Sequence, residues 1–121
     1  MDKLLSGRRV LVVEDEMLVL MMTEDMLADL GCESVVAAAT VNEALALIGA
    51  QDFDAAVLDR NLSGDMTDAV ADALRARGVP FVFATGYRTP DMSGGEADRL
   101  VLKKPFQIEQ LATILRHLLT R

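Results

Sequence analysis

The chain has 121 residues, about one domain by length, and 51% of them are apolar, enough to build a core and to argue against a disordered chain. Nineteen acidic residues against twelve basic ones leave a formal charge of −7, which repels phosphate backbones and anionic membrane surfaces, so neither nucleic acid nor membrane is expected as a partner. A single cysteine, Cys32, forms no internal disulfide and fits a reducing cytosol. The first residues carry no apolar signal core, and the longest apolar run, 17–22, is far too short to span a bilayer.

Residues 9–13 (RVLVV) form a short continuous apolar run, as expected of a strand buried on both faces of a parallel sheet. The run ends in Glu14-Asp15-Glu16, and a helical pattern follows over 16–30, with Gly31 as its stop. A weaker strand is expected over 34–37. Thr40, followed three residues later by Glu43, is a capping-box start for a helix reaching Ile48. Residues 55–58 give a third strand ending at Asp59, 61–65 read as loop, and 67–77 read as a helix closed by Gly78. A fourth strand over 80–84 ends at Thr85. A fifth over 100–103 leads to Pro105 in a first-turn position and a helix over 107–119. The stretch between Thr85 and Leu100 fits a crossover helix badly, because Pro90 and Gly94-Gly95 oppose one; at most a short helix capped by Ser93 is expected.

Alternating strands and helices imply an α/β fold, a doubly wound parallel sheet with right-handed crossovers and helices on both faces. Ligands bind beyond the carboxyl ends of such strands. The residues at those ends are Glu14-Asp15, Asp59, Thr85 and Lys104. Crowded carboxylates repel one another unless a cation neutralises them. An oxygen-only set without His or Cys favours a hard ion such as Mg²⁺. A phosphoryl group added to one carboxylate would find Lys104 as counter-charge and Thr85 as hydrogen-bond donor. Each piece also has an ordinary use: acidic residues open helices, an Asp often turns the chain after a strand, and Lys-Pro can simply lead into a helix. Four such pieces, each ending a different strand, are hard to assign to chance.

VLVVEDE at 10–16, VLDRNLSG at 57–64, FATGY at 83–87 and KKPF at 103–106 resemble the motifs of a response-regulator receiver (CheY-like) domain. The resemblance runs from Val10 to the final helix and implies one receiver domain over 1–121 with no output domain, its five strands in the order 2-1-3-4-5. It implies that Asp59 accepts a phosphoryl group from a histidine kinase or a histidine-phosphotransfer protein. Asp15 and Asp59 would ligate Mg²⁺ directly, Glu14 would help through water, and Asn61 through its backbone carbonyl. Thr85 would bind the phosphoryl group and move on activation, and Lys104 would pair with it. Such a domain assists its own phosphorylation and dephosphorylation but is not an enzyme with an external substrate. The segment from Pro80 to Tyr87 further resembles the FATGUY receivers, stand-alone regulators typical of alphaproteobacteria and often tied to general stress signalling. The glycine often found after the tyrosine is Arg88 here.

Two departures from ordinary receivers stand out. The loop proline expected four residues after the acceptor is Ser63, and the switch aromatic expected three residues before the lysine is Val101. Tyr87 is a candidate replacement switch, with partly exposed packing as the alternative. The run MLVLMM at 17–22 should be mostly core, its surplus offering Leu18, Met21 and Met22 as contacts for a histidine-bearing partner. His117 has no nearby Asp or Cys in sequence and reads as a surface residue, and Cys32 as a small hydrophobe near the second strand. The leading function is a phosphoaccepting signalling domain acting as relay, phosphate sink or adaptor for a downstream protein. An aspartyl-phosphate phosphatase would place a second Asp two residues after the nucleophile, where this chain has Asn61. A pseudo-receiver binding module would not need the acid pair, acceptor, Thr85 and Lys104 intact.

Overall fold

A computed structural model describes residues 4–62, 64–85 and 101–119. Seven strands and four helices are present among them: β1 (Arg9–Val13), α1 (Met17–Asp29), β2 (Ser34–Ala38), α2 (Val41–Ala50), β3 (Ala55–Asp59), β4 (Asn61–Leu62), β5 (Asp65–Met66), α3 (Asp68–Ala76), β6 (Phe81–Thr85), β7 (Val101–Lys103) and α4 (Ile108–Leu119). Five strands make one parallel sheet in the order β2-β1-β3-β6-β7, which is the expected 2-1-3-4-5 when the sheet strands alone are numbered. The doubly wound α/β architecture is therefore as the sequence implies.

Strand alternation divides the core in two. Val10 and Val12 of β1, with Val57 and Val82, face Leu20 and Leu27 of α1 and Leu111, Leu115 and Leu118 of α4. Leu11, Val13, Leu58, Phe81 and Phe83 face the opposite way, toward Ile48 of α2 and Val70 and Leu74 of α3. Because both faces are covered, the inner strands read as unbroken apolar runs.

The helix ends follow from local chemistry. After α1 the chain makes a Schellman turn, with the Gly31 amide donating to Ala28 (2.9 Å) and the Cys32 amide to Leu27 (3.0 Å). This needs a left-handed residue at Gly31, whose φ is 91°. Gly78, φ 72°, closes α3 in the same way through Gly78→Arg75 (3.0 Å) and Val79→Leu74 (2.9 Å). At the start of α2, the Thr40 hydroxyl accepts from the Glu43 amide at 3.0 Å. Glu43 reaches back to the Ala39 amide at 2.9 Å, one residue earlier than the usual capping-box partner.

Four expectations need correction. Residues 61–65 are not simply loop: Asn61 pairs with Met66 and Leu62 with Asp65 in a small antiparallel ribbon, too short to leave a periodic signature. Pro105 precedes α4 instead of opening it, because the Gln107 amide is taken by Gln110 Oε1 at 2.8 Å and the helix starts at Ile108. The 17–22 run is not mostly core, since Met17, Leu18, Met21 and Met22 are exposed while Leu20 is buried. α1 has only one face against the sheet, so its other faces stay in solvent however apolar they are. Thr67 precedes α3 rather than lying in it. The expected behaviour of Ser63, the short helix near Ser93 and the switch role of Tyr87 concern positions outside the described residues.

Because Leu111 is fully buried between α4 and the sheet, Leu111→Ala should cost about 2–5 kcal/mol. Urea denaturation measures it, and a loss well under 1 kcal/mol would contradict the packing described.

Candidate functional site

The β1 and β3 strands lie side by side, yet their connections run to opposite edges of the sheet. A crevice opens at such a switch point, beyond the carboxyl ends of the strands. Glu14 and Asp15 follow β1 directly and Asp59 ends β3. Their carboxylates converge, with one ligand oxygen from each lying within 4.8 Å of the others. Glu14 is 3% exposed and Asp59 8%, so water screens little of their mutual repulsion.

Lys104 answers that charge. It follows β7, and its amide donates to the Thr85 carbonyl at 2.8 Å, tying the end of β7 to the end of β6. Its ammonium sits 2.9 Å from Glu14 Oε1, 3.4 Å from Asp59 Oδ2 and 3.7 Å from Glu16 Oε1. Burial pushes the Glu14 carboxyl above the usual carboxylate range and the charge of Asp59 adds to this; the Lys104 hydrogen bond opposes the rise without cancelling it. For Lys104, burial pulls the ammonium down, but Glu14 and then Asp59 outweigh it and hold the group above an ordinary lysine. One ammonium is thus shared among Glu14, Asp59 and Glu16.

Apart from Tyr87, which lies outside the described residues, the site residues expected from the sequence fall as follows. Glu14, Asp15, Asp59 and Lys104 meet in one cluster. Thr85 is buried at the end of β6, two strand ends from Glu14 and next to Asp59 in the sheet order. The Asn61 amide donates to Asp59 Oδ1 at 3.2 Å, and Asn61 Oδ1 accepts from the Gly64 amide at 2.7 Å. Val101 is half-buried, pairs with Phe83 and packs on the α2–α3 side of the sheet. Leu18, Met21 and Met22 lie exposed on α1. His117 is exposed on α4, away from the cluster. The Cys32 thiol is half-buried and donates toward the Ser34 and Arg8 carbonyls at 3.2 and 3.4 Å; burial raises it above an ordinary thiol.

Two neighbours of Asp59 were not anticipated from the sequence. The Thr67 hydroxyl, fully buried, donates to the Asp59 carbonyl at 2.8 Å and lies 3.2 Å from the Arg60 carbonyl. The Arg60 guanidinium lies 4.8 Å above the Phe83 ring, joining β3 to β6 at the site edge. A signal for Thr67 existed: three residues on stands Val70 instead of the Glu that accompanies Thr40, so no capping box is available to it. Since burial disfavours the Glu14 charge more than Lys104 restores it, Glu14→Gln should raise the melting midpoint in EDTA. A calorimetric scan that shows a lower midpoint would overturn this account of the cluster.

The response regulator receiver domain model matches residues 10–116. No curated protein matched the chain significantly. Among solved structures, SdrG from Sphingomonas melonis Fr1 is 44% identical, with 96% of this chain and 98% of that one covered and a TM-score of 0.81. Its BeF3-activated conformation, from Pseudomonas melonis Fr1, is similar at a TM-score of 0.77, 44% identity and coverage of 98% and 99%. The receiver domain of the sensor histidine kinase PA1611 from Pseudomonas aeruginosa PAO1, solved with magnesium coordinated in its active-site cleft, is 25% identical, with coverage of 96% and 100% and a TM-score of 0.78. With the receiver model spanning nearly all of it and a 44% identical relative matched almost end to end, this chain belongs to the response-regulator receiver family of two-component signalling.

Proposed function

We propose that Asp59 accepts a phosphoryl group from the phosphohistidine of a histidine kinase or histidine-phosphotransfer protein. The chain then acts as relay, phosphate sink or protein-binding adaptor in the cytoplasm. The observation that carries this reading is the placement of the Asp59 carboxylate, within 4.8 Å of the Glu14 and Asp15 ligand atoms and 3.4 Å from the Lys104 ammonium. A carboxylate oxygen of Asp59 attacks phosphorus, the P–O bond forms as the P–N bond breaks, and the imidazole nitrogen keeps the bonding pair. Lys104, already shared between Glu14 and Asp59, is placed to turn toward the incoming phosphoryl oxygens. Thr85, at the neighbouring strand end, would donate a hydrogen bond to them.

The donor set suits Mg²⁺: three close carboxylates, no His or Cys among them, with the Lys104 ammonium beside Glu14 and Asp59. Glu14, Asp15 and Asp59 would hold the ion with the Asn61 carbonyl, and when bound it would neutralise phosphoryl oxygens. The magnesium-bound PA1611 receiver and the BeF3-activated SdrG support this reading by analogy.

A histidine-bearing partner would approach over α1. Leu18, Met21 and Met22 are exposed there, beside a cleft of about 250 Å³ lined by Val19, Met22, Met26, Lys104 and Phe106. Residues 80–87 support a place among the FATGUY receivers and, through them, a role in general stress signalling. We regard the chain as a self-assisting phosphoacceptor, not an enzyme acting on external substrates. Asn61 lacks the proton that a second Asp would supply as general acid, which disfavours the phosphatase alternative.

Phosphotransfer from a radiolabelled histidine kinase should label the wild type in Mg²⁺, and neither the Asp59→Asn variant nor the wild type in EDTA. An unlabelled wild type across a panel of kinases would favour a binding module instead. At about 100 times its Kd, Mg²⁺ should stabilise the wild type by about 2.7 kcal/mol. Asp15→Asn should lose most of that gain in thermal denaturation.

A further inference from the structure

We propose that Thr67 is a positioning residue for phosphorylation, holding the Asp59–Arg60 peptide so that the acceptor carboxylate keeps its aim. This deepens the reading of Asp59 as phosphoacceptor and rests on it.

Thr67 occupies the residue before α3, where a threonine oxygen ordinarily accepts a hydrogen bond from the helix's free amides. Here the side chain makes no such bond to the helix. The hydroxyl points back over eight residues of chain to donate to the Asp59 carbonyl at 2.8 Å, with the Arg60 carbonyl at 3.2 Å. The Thr67 amide reinforces the contact by donating to the Arg60 carbonyl at 3.1 Å. Both groups are enclosed, because Thr67 is 0% exposed. The residue therefore closes the base of the β4–β5 ribbon against the end of β3.

That closure bears on the acceptor from two sides. The direction of the Asp59 side chain depends on the backbone at Asp59, and the orientation of the following peptide is what Thr67 holds. The Asn61 amide, which donates to Asp59 Oδ1 at 3.2 Å, belongs to the ribbon that Thr67 shuts. Arg60, between them, is held from outside by its stacking on Phe83 at 4.8 Å. Asp59 ends β3, and beyond it the parallel sheet no longer holds the chain, so an acceptor with a defined position needs the ribbon clamped against the strand end. A carboxylate misplaced by about 1 Å is enough to cost a large factor in rate.

Two substitutions separate this role from simple packing. Thr67→Val keeps the shape and removes the hydroxyl, whereas Thr67→Ser keeps the hydroxyl and removes a methyl. With a labelled histidine kinase as donor, Thr67→Val should lower the saturating transfer rate roughly tenfold and leave the half-saturating kinase concentration unchanged. Thr67→Ser should return the rate to within about threefold of wild type, even where its melting midpoint is the lower of the two. Mg²⁺ affinity, measured by titration calorimetry without any phosphoryl donor, should weaken in Thr67→Val and recover in Thr67→Ser. Wild-type rate and Mg²⁺ affinity in Thr67→Val would overturn the proposal, as would equal losses in both variants. Should the wild type accept no phosphoryl group, the acceptor reading falls and the Mg²⁺ titration alone judges Thr67.

Discussion

The contact between Lys104 and the Glu14 and Asp59 carboxylates is the constraint around which this end of the molecule is arranged. Three acidic side chains face one crevice, two of them, Glu14 and Asp59, with little water to screen them, and a sheet ending this way would be pushed apart. The lysine answers from the far edge of the sheet, so its reach joins the last strand to the first. For the ammonium to arrive there, β7 must pair with β6 in register and the Lys104 amide must meet the Thr85 carbonyl. Fold and site are thus one problem. The topology delivers acids from the middle strands and a base from the edge, and the charge pairing fixes where β7 ends.

The compensation at Glu14 is incomplete. Glu14 stays above the usual carboxylate range in spite of its lysine. A cluster of carboxylates held this way stands to gain from a further cation. This one is held together by the hydrophobic layers on either side of the sheet, which can carry a locally unfavourable feature.

Most of the architecture could be read from the chain because the strands that matter are buried on both faces and stand out as apolar runs. The acidic pair, Asp59, Thr85 and Lys104 were legible for the same reason: each closes such a run. What escaped was local. The β4–β5 ribbon has two-residue strands, which carry no period. The exposure of Met17, Leu18, Met21 and Met22 was hidden because α1 is apolar on several faces, so pattern could not say which one met the sheet. Thr67 looked like the start of a helix, since the carbonyl it seeks lies eight residues back and only folding brings the two together.

The same arrangement sorts the chain's sulfur atoms by their access to oxidants. Three thioethers on α1, at Met17, Met21 and Met22, lie in solvent, with Met66 on the ribbon as a fourth. The Cys32 thiol is half-enclosed, directed at backbone carbonyls and held in its protonated, unreactive form by burial. Peroxide in solution therefore meets methionine before cysteine. The sulfoxides it makes would turn the apolar face of α1 polar while the sheet beneath kept its packing. Such damage would leave the acid cluster intact and blunt the surface beside it, and methionine sulfoxide reductases could reverse it.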